Sequence, residues 1–166
     1  MKSLAFKICF TICLLGGAIL LWVDQAKPGI IAFELARTIE NGNSMVAQWE
    51  AVNAIPFKKF SLYFDYLFII GYAGSLYILL REWYQRTGKS WIKTFSYVPI
   101  VAGVLDGVEN LGLLQIIYNQ GTQFSASLAF YCASVKFIIL LPSILLTLYY
   151  LVQKYSLYRS SRPVKS

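Results

Sequence analysis

The chain has 166 residues, of which 57% are hydrophobic, 16% aromatic and only 14% charged. Soluble domains carry charge on roughly one residue in four, and a small one could not hide this much apolar surface, so a water-exposed globular domain is excluded. The absence of histidine removes imidazole bases, histidine metal ligands and histidine-ligated haem together.

Length allows one domain spanning 1–166, and no internal repeat, low-complexity tract or linker argues for a second. A bilayer core of about 30 Å takes roughly 20 helical residues to cross, and four stretches meet that length or nearly so: 4–23, 60–80, 95–118 and 126–152. The fold class expected is an all-α membrane protein, a bundle of four transmembrane helices with two short amphipathic helices in the loop between spans one and two.

The first stretch contains Lys7 and then a clean apolar run from Ile8 to Val23. A signal peptide is the competing reading, but Val23-Asp24-Gln25-Ala26 lacks the small residues a peptidase needs. The expectation is a retained membrane helix. Cys9 and Cys13 in this stretch, and Cys132 in the fourth, show neither zinc nor disulfide spacing and read as small hydrophobes.

The loop 24–59 is patterned. After Pro28-Gly29, Ile31, Leu35 and Ile39 recur every four residues while Glu34, Arg37 and Thr38 fall on another face, which predicts a short amphipathic helix. Asn41-Gly42-Asn43 then reads as a turn, with Ser44 capping a second helix that carries Met45, Trp49 and Val52 on one side and is ended by Pro56. Such helices lie at the membrane interface or fold over the bundle as a lid from Ile30 to Asn53.

Orientation follows from lysines and arginines flanking the spans. Lys2 and Lys7 precede span one, Arg81, Arg86, Lys89 and Lys93 join spans two and three, and Lys154, Arg159, Arg162 and Lys165 occupy the tail 153–166. On the opposite side Lys27, Arg37, Lys58 and Lys59 are balanced by Asp24, Glu34, Glu40 and Glu50. Both termini are expected in the cytoplasm, in a multi-pass protein of a cytoplasmic (inner) membrane. The net charge of +7 is thereby explained by topology, and nucleic acid is not an expected partner.

The most informative residues are ionisable ones inside spans: Asp65 in span two, Asp106 and Glu109 in span three, and Lys136 in span four. Each costs about 2.5 to 3.5 kcal/mol at the centre of a membrane helix, so four need a reason. Helical rise puts Glu109, Asp106 and Lys136 roughly 12 to 17 Å below the outer surface and Asp65 roughly 8 Å below it. Residues three, four and seven apart share a face, which gives three stripes: Asp106, Glu109, Asn110 and Leu113; Ser61, Asp65 and Tyr72; Ser125, Ala129, Cys132, Lys136 and Ser143. Gly103 and Gly107 add a surface for close helix approach. The expected cluster is an ion pair of Lys136 with Asp106 or Glu109, beside a second acid that is protonated or reached by solvent, with Asn110 as hydrogen-bond partner.

Phe33-Glu34-Leu35-Ala36-Arg37-Thr38, Trp49, Asp65-Tyr66-Leu67-Phe68 with Tyr72, Asp106-Gly107-Val108-Glu109-Asn110 and Lys136-Phe137 together resemble a group of small bacterial four-helix integral membrane proteins. The resemblance covers most of the chain and implies this topology and this choice of residues, and it implies no activity.

Two functional readings follow. In the first the protein binds or processes a small amphiphile or membrane lipid admitted from the outer leaflet. Asp106 and Glu109 are then acid/base or cation-binding groups, with Lys136 their counter-charge. Asp65 and Tyr72 are polar contacts on the entry side, and Glu34 and Arg37 belong to the lid. In the second it is an accessory or scaffolding subunit, a homo-oligomer or the companion of another membrane protein, whose buried charges only specify packing. Proton-coupled transport is a lesser alternative, since four helices enclose little space and only Pro142 interrupts a span interior. A metal site built from Glu34, Asp65, Asp106 and Glu109 is disfavoured because Lys136 competes for the carboxylates, and no cofactor is expected.

Overall fold

A computed structural model describes residues 4–160. Lys2, Arg162 and Lys165, counted above for orientation, lie outside the described residues. Seven helices follow one another: α1 (Leu4–Val23), α2 (Ile30–Glu34), α3 (Ile39–Ala51), α4 (Ile55–Thr87), α5 (Ser90–Phe95), α6 (Val98–Ile117) and α7 (Gln123–Ser160). No strand occurs among the described residues. Four helices are long and apolar enough to cross a membrane: α1, α4, α5 continued into α6, and α7.

The first span agrees with the sequence reading residue for residue, whereas α4 and α7 run further than their apolar cores. At about 1.5 Å per residue they are roughly 50 and 57 Å long, well over a hydrocarbon core of about 30 Å. Pro56 sits in the first turn of α4, where its missing N–H is not needed. It therefore opens α4 rather than ending the helix before it. At the other end Gly88 takes the left-handed conformation at φ 67° and returns its N–H to the Tyr84 carbonyl, closing α4. The helix α7 continues to Ser160, through residues the sequence reading assigned to a tail from 153.

Segment 30–51 is organised differently from its sequence reading. α2 ends at Glu34, the break falls at residues 35–38, and α3 passes through Asn41-Gly42-Asn43 as helix. Thr38, not Ser44, caps α3 by accepting the Asn41 N–H, and Arg37 has φ 58°. Tertiary packing outweighs the turn propensity of Asn-Gly-Asn: a Cβ on Gly42 would stand 3.3 Å from Ile116 Cγ2, so the missing side chain admits α6. The buried face of α3 is accordingly Gly42, Val46 and Trp49, one helical stripe, while Val52 is exposed.

That face closes one end of the bundle. Trp49 and Phe33 meet edge to face with ring centroids 4.8 Å apart and pack on Leu62, Leu113 and Ile116. At the opposite end Leu80, Trp83, Ile92 and Tyr150 form a smaller core that binds α5 to α4 and α7. α6 lies against both α4 and α7, and α1 packs on α4. Close approach of α1 depends on Gly71, where a Cβ would lie 2.6 Å from the Cys13 backbone nitrogen. α6 and α7 are similarly close at Gly112, where a Cβ would lie 2.9 Å from the Ser125 carbonyl oxygen. Gly103 fits tightly against Ile69 and Ala73, but Gly107 meets Tyr66 at an ordinary 3.5 Å, so only the first of that glycine pair is needed for contact. Pro142 lies inside α7, which runs unbroken through it.

Candidate functional site

Helix phase decides which polar side chains turn inward. On α6, Asp106, Glu109 and Asn110 are all buried, on the stripe expected from their spacing. On α7, Ser125, Ala129, Cys132, Lys136 and Ser143 are buried likewise. Small residues on this α7 face let α6 come near enough for the lysine to reach its acids.

Lys136 Nζ lies 2.8 Å from Asp106 Oδ1, 2.9 Å from Glu109 Oε2 and 3.5 Å from Glu34 Oε2. Three acids from α2 and α6 thus surround one ammonium, which donates hydrogen bonds to two of them, Asp106 and Glu34. Asp106 is held from its other side as well, since Tyr72 on α4 donates its hydroxyl to Oδ2 at 2.8 Å. Asn110 donates its amide to Asp65 Oδ2 at 2.7 Å. One network therefore joins α2, α4, α6 and α7.

Its members are not equivalent. Glu109 has no exposed surface, and neither of its oxygens meets a donor at hydrogen-bonding angles. It serves as counter-charge behind Lys136 and does not border the cavity described below. The Glu34 carboxyl shares Lys136 with it. Burial pushes Glu34 above the ordinary value of 4.5, against the opposing pull of the Lys136 ammonium. Arg37 is not part of the cluster. It is exposed, with its guanidinium 5.8 Å from the centre of the Phe130 ring, because the chain turns away after Glu34.

A cavity of about 600 Å³ opens onto this network. Glu34, Asp65, Tyr72, Asp106, Asn110 and Lys136 border its polar end. From there it runs between α1 and α7 over α4, walled by residues such as Phe10, Leu76, Leu140 and Leu151. A few polar groups thus converge at one end of the cavity and apolar walls line the rest, the make-up of small-molecule pockets in general.

A second network, between the first and second spans, was not legible in the sequence. Lys58 is fully buried; it pairs with Asp24, donates to the Ala26 carbonyl at 2.8 Å and lies 4.9 Å from the centre of the Trp49 ring. Asp24 also accepts the Ile30 N–H at 3.1 Å, and Trp49 Nε1 donates to the Pro28 carbonyl at 2.8 Å. In composition Lys58 and Asp24 look like an ordinary balance of surface charges, and only their meeting across 34 residues shows the staple. It fixes α2 over the mouth of the cavity and so sets the position of Glu34.

Chemically the cluster suits binding better than proton transfer. Both Asp106 oxygens are engaged, Lys136 is surrounded by three acids, and Glu109 lies away from the cavity. No group of three or more Cys, Asp or Glu side chains is arranged to hold a metal ion among the described residues. Compared with known proteins, the chain matches no family model, no curated protein and no solved structure.

Proposed function

We propose that this chain is a multi-pass membrane protein that binds a small amphiphile, its head at the Asp65, Asp106 and Lys136 cluster and its chain between α1 and α7. The observation that carries this is the cavity of about 600 Å³, whose apolar walls lead to buried, mutually paired charges. A device for packing alone needs the ion pairs but no such space beside them. The lysines and arginines support an arrangement in a cytoplasmic membrane with both termini and the α4–α5 connection in the cytoplasm. Trp83, Trp91 and Tyr149 cluster at that same end, as aromatic residues do at a membrane–water boundary. In this arrangement α2 and α3 cover the outer mouth of the cavity, and an amphiphile enters from the outer leaflet beside them.

The test is immobilisation of a doxyl-labelled 16-carbon chain by the purified protein, followed by electron paramagnetic resonance. One immobilised probe per chain is expected, and Leu76→Trp, which fills the cavity wall, should release it. An immobilised fraction that is the same in the variant, or that never saturates, refutes the reading.

The scaffolding reading has one observation in its favour. Contacts that Gly71 and Gly112 permit are as close as those of helices selected for packing. It would prevail if Leu76→Trp changed nothing while Lys136→Met lowered the yield of a larger assembly.

A further inference from the structure

The cavity is bordered by four acids, and the structure divides them. Asp24 is paired with Lys58, and Glu34 and Asp106 both lie against the Lys136 ammonium. Asp65 alone among these four has no cationic partner among the described residues; its one hydrogen bond is from the neutral Asn110 amide. It is partly buried at the cavity mouth, with acceptor capacity left over. Lys136 is already surrounded by three carboxyls, which disfavour an anionic head beside it.

A second observation lies deeper in the same cavity. Ser134, Ser143 and Thr147 return their hydroxyls to the carbonyl four residues earlier, at 2.8, 2.9 and 2.7 Å. Ser75 does not. It borders the cavity, is 5% exposed, and its Oγ has no hydrogen-bond partner. A buried hydroxyl without a partner costs about 1 to 3 kcal/mol, so the position calls for a polar atom from outside the chain. Ten residues of α4 separate it from Asp65, about 15 Å along the helix.

We infer that the ligand is a single-chain amphiphile with a protonated amine as its head, seated on Asp65, and with an oxygen about 15 Å along its chain that meets Ser75. This rests on the amphiphile-binding reading above and names the chemical class of its ligand. The amine comes without an adjacent phosphate, because a phosphate would face Glu34, Asp65 and Asp106 with no free cation among the residues at the cavity's polar end. A free long-chain amine and the amine of a phospholipid head are thereby distinguishable.

The experiment is thermal unfolding of the full chain in a neutral detergent with dodecylamine, dodecanol, dodecanoate, 12-amino-1-dodecanol or lysophosphatidylethanolamine. Dodecylamine should stabilise saturably, with a midpoint at least about tenfold below those of dodecanol and dodecanoate, the gain of one charge-assisted hydrogen bond. Asp65→Asn should remove that preference. The amino alcohol should bind several-fold more tightly than dodecylamine, and Ser75→Ala should abolish this difference. Equal midpoints for the three simple probes, a preference that survives Asp65→Asn, an amino alcohol that gains nothing from Ser75, or lysophosphatidylethanolamine binding as well as dodecylamine would overturn the inference. If the probes saturate alike and Leu76→Trp weakens them all, the amine assignment falls and the amphiphile site stands. If no probe saturates, both fall.

Discussion

The contribution of Lys136 can be measured most directly by Lys136→Met, which keeps length and apolar bulk and removes the charge. In the native protein the ammonium lies 2.8 Å from Asp106 Oδ1 and 2.9 Å from Glu109 Oε2. Glu109 has no exposed surface and Asp106 only 5%, so neither can turn to water when the lysine is gone. Two magnitudes compete. An average polar contact between membrane helices is worth about 0.6 kcal/mol, whereas breaking a buried ion pair on one side costs about 3 to 5 kcal/mol. The larger applies here, because the acids left behind are enclosed by α2, α4 and α7 and do not face lipid. Lys136→Met should therefore lose about 3 kcal/mol or more, and adding Glu109→Gln should restore at least about 1 kcal/mol of it, since the residues are in direct contact. Unfolding in mixed micelles at rising dodecyl sulfate, followed by circular dichroism, gives all four corners of the cycle. A single variant within about 0.6 kcal/mol of the native protein, or a cycle with no coupling, would refute the enclosed-cluster argument.

Two other outcomes follow from the geometry. Because the Glu34 carboxyl is raised in the folded state, its stabilising effect is complete below about 4.5 and is lost as pH climbs through the raised value; the melting temperature of Glu34→Gln relative to the native protein should therefore rise from pH 4 to pH 8, and a flat or falling difference would contradict the burial of that group. Gly112→Val places a Cβ 2.9 Å from the Ser125 carbonyl oxygen and should cost about 1 to 3 kcal/mol in the same micellar unfolding assay, whereas Gly107→Ala, at 3.5 Å from Tyr66, should be nearly silent.

Much of this protein is legible along the chain. Runs of twenty apolar residues dictate membrane-length helices because backbone groups in lipid must be satisfied within the segment. Helical spacing alone placed Asp106, Glu109 and Asn110 on one face and Lys136 on a face of small residues, and the buried stripes follow that spacing. Phase is a local property, fixed by 3.6 residues per turn.

What tertiary structure decided is who meets whom. Asn41-Gly42-Asn43 has the composition of a turn, yet it is helical because Gly42 must admit Ile116. Glu34 and Arg37 belong to one motif in the sequence. The break after α2 nevertheless sends the first to Lys136 and the second to the surface over Phe130. Lys58 and Asp24 read as interchangeable surface charges until the fold buries them against Trp49. Asp65 and Asp106 both border the cavity, and only the position of α7 gives Lys136 to one and leaves the other without a lysine. Faces can be derived from a chain by its periodicity, but partners depend on how helices far apart in sequence are brought together, and in this protein that pairing decides which acids meet a lysine and which does not.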